Sequence, residues 1–152
     1  MVKASYEAVK EANENTVFGI SPQGNLENNA ALYADVEKWC AEKGYIDYIC
    51  PQLYYSLDNP DLTFEAALAD WLNMKKHDGL KLYVGIPVYK AGTDSDSGTW
   101  LDNHDILATE LKTADEKGTD GFILYSYDSL HSKEAAEEVK NMLRYIAESI
   151  KQ

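Results

Sequence analysis

Apolar residues are spaced in two ways along this chain, and the alternation between them predicts strands and helices in turn. Short continuous apolar runs, rich in β-branched and aromatic residues, are typical of strands that are buried on both faces. Between these runs, apolar residues recur every three or four positions, which is the spacing of one helix face. The predicted strands are 17–21, 45–50, 81–88 and 121–125.

The segments between the strands carry the start and stop signals of helices. Thr63 and Ser132 can each cap a helix, because a side-chain oxygen at that position accepts a hydrogen bond from a first-turn amide. A further amphipathic segment, 5–15, precedes the first strand. One helix followed by four strand–helix units predicts a parallel sheet with right-handed crossovers. The inter-strand helices are predicted to end at Gly44, Gly79 and Gly118.

The loops at the two ends of the predicted strands differ. The turns that enter a strand are tight and contain glycine, whereas the loops that leave a strand are long and polar. In parallel α/β proteins, ligands bind at the carboxyl ends of the strands. The loop pattern therefore predicts a site at the edge of the sheet where the strands end.

The stretch 45–55, YIDYICPQLYY, is the strongest candidate for such a site. Pro51 cannot donate to a sheet ladder, so regular pairing is predicted to end there. Gln52 and Tyr54 follow, and their spacing of two places both side chains on one face. We predict that they are the main binding groups. The alternative is that Gln52 is a buried amide that the backbone satisfies, beside tyrosines of the core.

Aromatic residues at the other strand ends extend this candidate site. The chain has eleven tyrosines but three phenylalanines, and a tyrosine ring combines an apolar face with a hydroxyl, which suits sugar rings. The alternative, for roughly half of the tyrosines, is that they fill the margins of the core. The further candidate substrate-binding residues are Ser21, Asn25, Tyr89, Trp100, Tyr125 and Tyr127.

Carboxyl groups are sparse at the predicted strand ends. Glycoside hydrolysis normally needs two of them, about 5–10 Å apart, and Asp128 alone closely follows a predicted strand. Asp128 is therefore the single catalytic candidate, and we do not expect a complete catalytic pair in this chain. No spacing of His or Cys predicts a metal site, and no glycine-rich phosphate motif predicts a nucleotide. We expect neither a metal nor another cofactor.

The net charge of −12 argues against two classes of partner. Nucleic acid is a polyanion and is repelled, and binding to an anionic membrane surface is disfavoured for the same reason. No apolar run is long enough to span a membrane, and the first residues lack the apolar segment of a signal peptide. Cys40 and Cys50 are predicted to be small buried thiols.

Four stretches of the sequence resemble a known family. They are FGISPQG, YADVEKWCAEKGYIDYICPQLYY, LKLYVGIPVY and TDGFILYSYDSL, and they run from about Val17 to Leu130. In this order they resemble the glycoside-hydrolase-like family of bacterial envelope proteins, also known as a domain of unknown function, whose fold is a TIM barrel. The loop QGNLENNA is shorter than the family's usual version, which contains an aromatic residue.

This resemblance implies that residues 1–152 form a single domain, the C-terminal half of a (β/α)8 barrel with its strands five to eight. The strand pattern alone leaves a flavodoxin-like open sheet as the alternative. The family's acidic motif, two adjacent Asp followed by aromatic residues, lies on an earlier strand and has no counterpart here. The resemblance also implies a parent glycoside hydrolase that is secreted by, or attached to the envelope of, a bacterium.

A half-barrel leaves two strand edges and one sheet face uncovered. We therefore expect either a homodimer or a complex with the missing N-terminal half. The expected function is the substrate-binding half of a hydrolase that acts on an envelope carbohydrate, with little or no activity alone. The alternatives are a non-catalytic carbohydrate-binding module and a purely structural fragment.

Overall fold

The computed structural model describes residues 1–101 and 103–150 of the chain. Within them, four parallel strands lie side by side in the order of the sequence, and each pairs with the next one along the chain. The strands are β1 (Gly19–Ile20), β2 (Tyr48–Ile49), β3 (Lys81–Pro87) and β4 (Gly121–Tyr125).

The helices follow the predicted order, with two additional short helices, one between β1 and β2 and one, Ser95–Gly98, in the loop after β3. The stretch QGNLENNA, predicted to be a loop, contains a short helix capped by Asn25, and a second helix begins after Asp35. The chain separates them with a left-handed turn at Tyr33 (φ 56°). Turns of 3-10 helix, Val88–Lys90 and Asp128–His131, follow β3 and β4. The helices are α1 (Val2–Ala12), α2 (Leu26–Ala31), α3 (Val36–Ala41), α4 (Phe64–Asn73), α5 (Ser95–Gly98), α6 (Ile106–Glu116) and α7 (Ala136–Ser149).

The regular parts of β1 and β2 are shorter than predicted, but hydrogen bonds extend their pairing. The amide of Cys50 donates to the carbonyl of Ile20 at 2.9 Å. Pairing was predicted to end at Pro51, yet it resumes one residue later, where the amide of Gln52 donates to the carbonyl of Pro22 at 2.9 Å. Proline removes one donor from the ladder without moving the strand away from its neighbours.

One face of the sheet is covered by helices, and the other face is more open. Crossovers between parallel strands are right-handed, so a sheet in sequential order carries its helices on a single face. On the other face, Ile123 of β4 is 46 % exposed. The core on the covered face includes Ile49, Leu82, Val84 and Ile86 from the sheet, with Phe64, Trp71, Leu107, Leu111 and Met142 from the helices.

The strand order decides between the two predicted architectures. In a flavodoxin-like doubly wound sheet, the strand order reverses and helices cover both faces. The four strands of the described residues show no reversal. The predicted α/β fold is confirmed, and its arrangement is consistent with part of a TIM-barrel-like domain.

Two aspartates fix the amino-terminal ends of the strands in the same way. Asp47, before β2, accepts a hydrogen bond from the amide of Phe18 at 2.7 Å, and Asp120, before β4, accepts one from Leu82 at 2.8 Å. Each also pairs with a lysine; for Asp120 this is Lys81, at 2.6 Å. Burial acts to raise the pKa of both carboxyls, but these hydrogen bonds outweigh it and hold each pKa below its ordinary value.

Two further expectations concern the cysteines and the length of the helices. Cys40 and Cys50 are buried free thiols, as predicted, and burial raises the pKa of each to about 11. None of the helices within residues 1–101 and 103–150 has the length and apolar content needed to cross a membrane.

Candidate functional site

Three tyrosines meet at the carboxyl ends of β2, β3 and β4. The ring of Tyr54 stacks on the ring of Tyr125, with 5.8 Å between the centroids and 21° between the planes. The ring of Tyr89 meets both edge-on, at 5.8 Å from Tyr54 and 5.9 Å from Tyr125. Stacked and edge-on arrangements are the two favourable geometries of aromatic pairs. We refer to these three residues as the tyrosine cluster.

The parallel register explains why residues so far apart in the sequence meet. Tyr125 is on the last rung of the β3–β4 ladder, while Tyr54 and Tyr89 lie just past the ends of their own strands. Gly85 makes room for the first of these rings. A Cβ atom on Gly85 would lie 3.3 Å from Cε1 of Tyr54 and 3.0 Å from the carbonyl oxygen of Pro51.

The cluster is open to solvent, but burial still perturbs two of its hydroxyl groups, those of Tyr54 and Tyr89. Tyr125 is 55 % exposed and Tyr89 is 43 % exposed, whereas Tyr54 is only partly exposed. Burial, helped by the neighbouring Cys50 thiol and the two other phenols, raises the pKa of Tyr54 to about 12. Burial also raises the pKa of Tyr89. These hydroxyls can therefore donate and accept hydrogen bonds, but they are not poised as nucleophiles.

Gln52 lies on the same face of the sheet, one rung before the cluster. Its backbone bridges Gln23 on one side and Gly85 on the other. Tyr54 follows two residues later, so the two side chains point to the same face. The side-chain Nε2 of Gln52 donates to the carbonyl of Ser21 at 3.1 Å. The side-chain amide of Gln52 therefore has a backbone hydrogen-bond partner and also lies beside the tyrosine cluster.

The two candidates after β1 differ in what they already bind. Ser21 is exposed, whereas Oδ1 of Asn25 accepts a hydrogen bond from the amide of Asn28 at 3.1 Å and caps α2. Sequence analysis missed Asn29, which is buried. Its Nδ2 donates to the carbonyls of Gln23 at 2.7 Å and Asn25 at 3.0 Å. Asparagines thus shape this loop, and Ser21 is the more available of the two candidates.

Tyr127 and Asp128 lie beyond the cluster, in the loop after β4. Tyr127 is 74 % exposed, and its ring meets the ring of His131 edge-on at 5.4 Å. Asp128 is exposed and begins a 3-10 turn. Among the residues that the structure describes, Tyr127 makes no ring contact with the cluster and Asp128 makes no side-chain hydrogen bond.

Trp100 is placed differently from the other candidates. It was predicted to stack on a sugar, but its side chain is fully buried in the core. The indole Nε1 donates to Oδ2 of Asp96 at 3.0 Å. No face of this ring is at the surface, so Trp100 takes no part in the site proposed below. The loop that carries it folds back on the helices, which its polar sequence does not reveal.

Residues 1–102 match the family model described as glycosyl hydrolase-like 10. The chain belongs to this family. The match includes Gln52, Tyr54 and Tyr89 and ends before β4, so Tyr125 and Asp128 lie outside it.

Curated relatives of this glycosyl hydrolase-like chain carry related names. Glycosyl hydrolase DigH of Escherichia coli K12 is 27 % identical in an alignment 150 residues long that covers 86 % of this chain and 34 % of the relative. Glycosyl hydrolase YngK of Bacillus subtilis is 32 % identical in an alignment 118 residues long that covers 67 % of this chain and 23 % of the relative. The chain therefore spans about a third or less of the length of these relatives.

Two buried glutamates of this family member were not predicted from its sequence. Both oxygens of Glu138 on α7 accept hydrogen bonds, from the amides of Ile106 at 3.3 Å and Leu107 at 3.0 Å. Glu110 on α6 is also buried, and among the described residues neither of its carboxyl oxygens has a hydrogen-bond partner. Burial, and then the nearby Glu138, raises the pKa of Glu110 well above its ordinary value. Both residues belong to the helix layer and not to the open face of the sheet.

Metal ligation finds no support in the described residues. Across residues 1–101 and 103–150, no group of three or more His, Cys, Asp or Glu side chains is arranged to hold an ion. The groups that the site does present are hydroxyls, an amide and aromatic faces, and Asp128 is an exposed carboxylate in the loop after β4.

Proposed function

We propose that this chain supplies the carbohydrate-binding part of a glycosyl hydrolase-like barrel that acts on a cell-envelope carbohydrate. The tyrosine cluster is the observation that carries the proposal, because it gathers three aromatic rings at the carboxyl ends of neighbouring strands. Membership of a glycosyl hydrolase-like family and the names of the relatives support carbohydrate as the ligand class. In this proposal the parent protein is secreted or attached to a bacterial envelope.

The proposed binding mode uses both parts of each tyrosine. The exposed faces of Tyr89 and Tyr125 pack on the C–H face of a sugar ring, while their hydroxyls bond to the hydroxyls of neighbouring sugar units. Gln52 and Ser21 extend the polar part of this surface toward β1. Tyr54 supports the platform through its ring contacts with both of the other tyrosines.

Catalysis by this chain alone is not part of the proposal. A glycosidase normally needs two carboxyl groups, about 5–10 Å apart across the scissile bond. Asp128 is a single exposed carboxylate, and the buried Glu110 and Glu138 belong to the helix layer. We therefore expect the second carboxyl to come from outside the 152 residues.

The open edges of the sheet suggest how the barrel is completed. β1 and β4 each pair with one neighbour among the described residues, and the uncovered face of β4 exposes Ile123. We propose that four further strands pair with these edges and bury this face, either from the missing half of the barrel or from a second copy. Light scattering at micromolar concentration tests completion by a second copy: the mass of a dimer supports self-association, whereas the mass of a monomer refutes it.

Carbohydrate binding without catalysis is a second candidate function. The sparse carboxylates at the strand ends favour it, and it uses the same cluster. The two candidates differ in what Asp128→Asn does when barrel-completing residues are supplied. The variant abolishes turnover of a 4-nitrophenyl glycoside in the first case, and turnover is absent throughout in the second. Turnover by the 152-residue chain alone, abolished by Asp128→Asn, would refute the proposal that it is inactive by itself.

Binding is tested by NMR titration of the chain with cellohexaose and chitohexaose as neutral probes. Tyr125→Ala removes one exposed face of the platform, and we expect it to weaken binding about tenfold, the effect of losing one aromatic contact and its buried area. Tyr33→Ala is the matched control, because Tyr33 is an exposed tyrosine in the turn between α2 and α3.

The outcomes of this titration are separable. Shifts confined to Gln52, the cluster and their neighbours, weakened by Tyr125→Ala and unchanged by Tyr33→Ala, support the proposal. Equal effects of both variants, or no shifts at millimolar probe, would overturn it. An alginate hexamer serves as an anionic probe, and the net charge of −12 predicts that it binds more weakly than the neutral sugars.

A further inference from the structure

The loops that follow β2 and β3 are joined by a buried ammonium group. Nζ of Lys90 donates to the carbonyl of Tyr54 at 2.7 Å and to Oδ1 of Asp96 at 2.7 Å. The side chains of Lys90 and Asp96 are each 14 % exposed. One cation therefore has a partner in each loop, in a place that water hardly reaches.

Asp96 is itself held from a second direction. Its other carboxyl oxygen accepts a hydrogen bond from the indole of Trp100 at 3.0 Å, and that indole is fully buried. Burial acts to raise the pKa of Asp96, but the hydrogen bonds from Lys90 and Trp100 outweigh it and hold the pKa below its ordinary value. The carboxylate is thus ionised at neutral pH, and it fixes the ammonium opposite it.

A second contact joins the same two loops. The hydroxyls of Ser56 and Thr99 are 2.6 Å apart, and Ser56 is fully buried. The Thr99 hydroxyl also lies 2.9 Å from the carbonyl of Asp96. Both of these polar contacts between the loop after β3 and the loop after β2 are shielded from solvent, which strengthens them.

The position of Lys90 in the chain links this network to the tyrosine cluster. Lys90 directly follows Tyr89, whose ring is 5.8 Å from that of Tyr54. The last ladder bond between the two backbones runs from the amide of Leu53 to the carbonyl of Gly85 at 3.1 Å, and the ammonium of Lys90 adds a tie beyond it at the carbonyl of Tyr54. We therefore expect loss of this ammonium to loosen the contact between the two rings, because both rings lie beyond the last ladder bond.

We propose that Lys90 is a positioning residue for the tyrosine cluster, and that Asp96 and Trp100 hold its ammonium in place. An effect of Lys90 on sugar binding rests on the function proposed above, since the tyrosine cluster is the proposed sugar-binding surface. The ring geometry itself does not depend on any sugar. The two ideas can therefore fail separately.

The test removes the ammonium without leaving a buried charge behind. In Lys90→Met/Asp96→Asn, both charges disappear together while the lysine stem is retained in shape. The matched control is Lys81→Met/Asp120→Asn, which removes the ion pair at the opposite end of β3, 2.6 Å long and more exposed. Both variants and the wild-type chain carry 13C-labelled tyrosine, and NOEs between the ring protons of Tyr54 and Tyr89 are measured without ligand.

We expect the Tyr54–Tyr89 NOEs to disappear in the Lys90→Met/Asp96→Asn variant and to persist in the Lys81→Met/Asp120→Asn control. Chitohexaose binding should weaken about tenfold in the first variant alone, which corresponds to the loss of one charge-assisted hydrogen bond. If the first variant does not fold, Lys90→Gln/Asp96→Asn replaces it, because glutamine keeps a polar contact with residue 96 but is too short to reach the Tyr54 carbonyl.

Persistent ring NOEs in the variant that lacks the ammonium would overturn the inference, whatever the sugar does. Loss of the NOEs in both the variant and its control would also overturn it, since the effect would then be general destabilisation. Loss in the first variant only, with no sugar binding by the wild-type chain, would support the positioning role and refute the proposed function.

Discussion

β3 has a lysine–aspartate pair at each of its ends, and the two pairs differ in their surroundings. At the amino end, Lys81 and Asp120 are 2.6 Å apart and 57 % of the lysine side chain is exposed. Beyond the carboxyl end, Lys90 and Asp96 are 2.7 Å apart and both are 14 % exposed. The distances are almost equal, so the strength of each pair depends on solvent and on further partners. The Lys90–Asp96 pair is therefore expected to contribute more to stability, because it is buried and has further hydrogen-bond partners, and not because it is shorter.

The largest effect expected from this comparison is on stability. Lys90→Met leaves the Asp96 carboxylate buried without its cation, and we expect this to lower the free energy of unfolding by about 2–4 kcal/mol. Lys81→Met breaks an exposed pair and should leave the unfolding midpoint close to that of the wild type. Urea unfolding of the two variants measures the difference. Equal midpoints would show that burial does not distinguish the two pairs.

Glu110 sharpens the comparison, because it is buried near Lys90 and Asp96 but has no hydrogen-bond partner among the described residues. Its pKa is raised by burial first, and then by Glu138 on α7 and by Asp96, while Lys90 acts in the opposite sense. The folded chain therefore keeps a proton that the unfolded chain releases near the ordinary glutamate pKa of 4.5. The stability from this proton is fully present below that pH and is lost as the pH rises toward the folded pKa.

Between the unfolded and the folded pKa, each carboxyl with a raised pKa lowers the free energy of unfolding by at most about 1.4 kcal/mol for each pH unit. Urea unfolding between pH 5 and 8 measures it, and Glu110→Gln, which cannot ionise, should have a flatter profile than the wild type. The pKa of Glu138 is also raised, chiefly by burial. This residue therefore adds a pH dependence of stability with the same sign to the wild type and to Glu110→Gln. Identical slopes for wild type and Glu110→Gln would show that Glu110 is not the source.

A smaller effect is expected at Gly85, on the strand between the two pairs. An added Cβ meets the backbone carbonyl of Pro51 at 3.0 Å and the ring of Tyr54 at 3.3 Å. The carbonyl cannot yield easily, so Gly85→Ala should cost about 1–2 kcal/mol of stability. It should also move Tyr54 and so reduce the Tyr54–Tyr89 NOEs. A variant with unchanged stability and unchanged NOEs would contradict the close approach of β2 and β3 at this point.

The sequence was a good guide to those features that follow from strand periodicity. Tyr54, Tyr89 and Tyr125 could be brought to one place because parallel strands of an ordered sheet end at a common edge. Thr63 caps α4, as predicted, through the amide of Ala66 at 3.2 Å. Such local signals can be read from the sequence because a helix cap or a strand depends on residues only a few positions away.

Features that depend on contacts between loops were not predictable in this way. Trp100 looked like an exposed ring because its loop is polar, but Asp96 and Lys90 supply the partners that allow its indole to be buried. Likewise, the stretch QGNLENNA was expected to be a loop but contains most of α2, and a left-handed turn at Tyr33 separates this helix from α3. A sequence pattern records what a side chain is, whereas burial depends on partners that lie elsewhere in the chain.

The carboxylate of Glu138 has a consequence for the order in which the helix layer is assembled. α6 has no local side-chain cap at its N-cap, Asp105, and its first amides are satisfied by a residue more than a full helix later in the chain. The amides of Ile106 and Leu107 therefore gain these partners only after α7 has docked. Initiation of the one helix is thermodynamically coupled to the arrival of the other, so the last two helices of the chain mature as a cooperative unit.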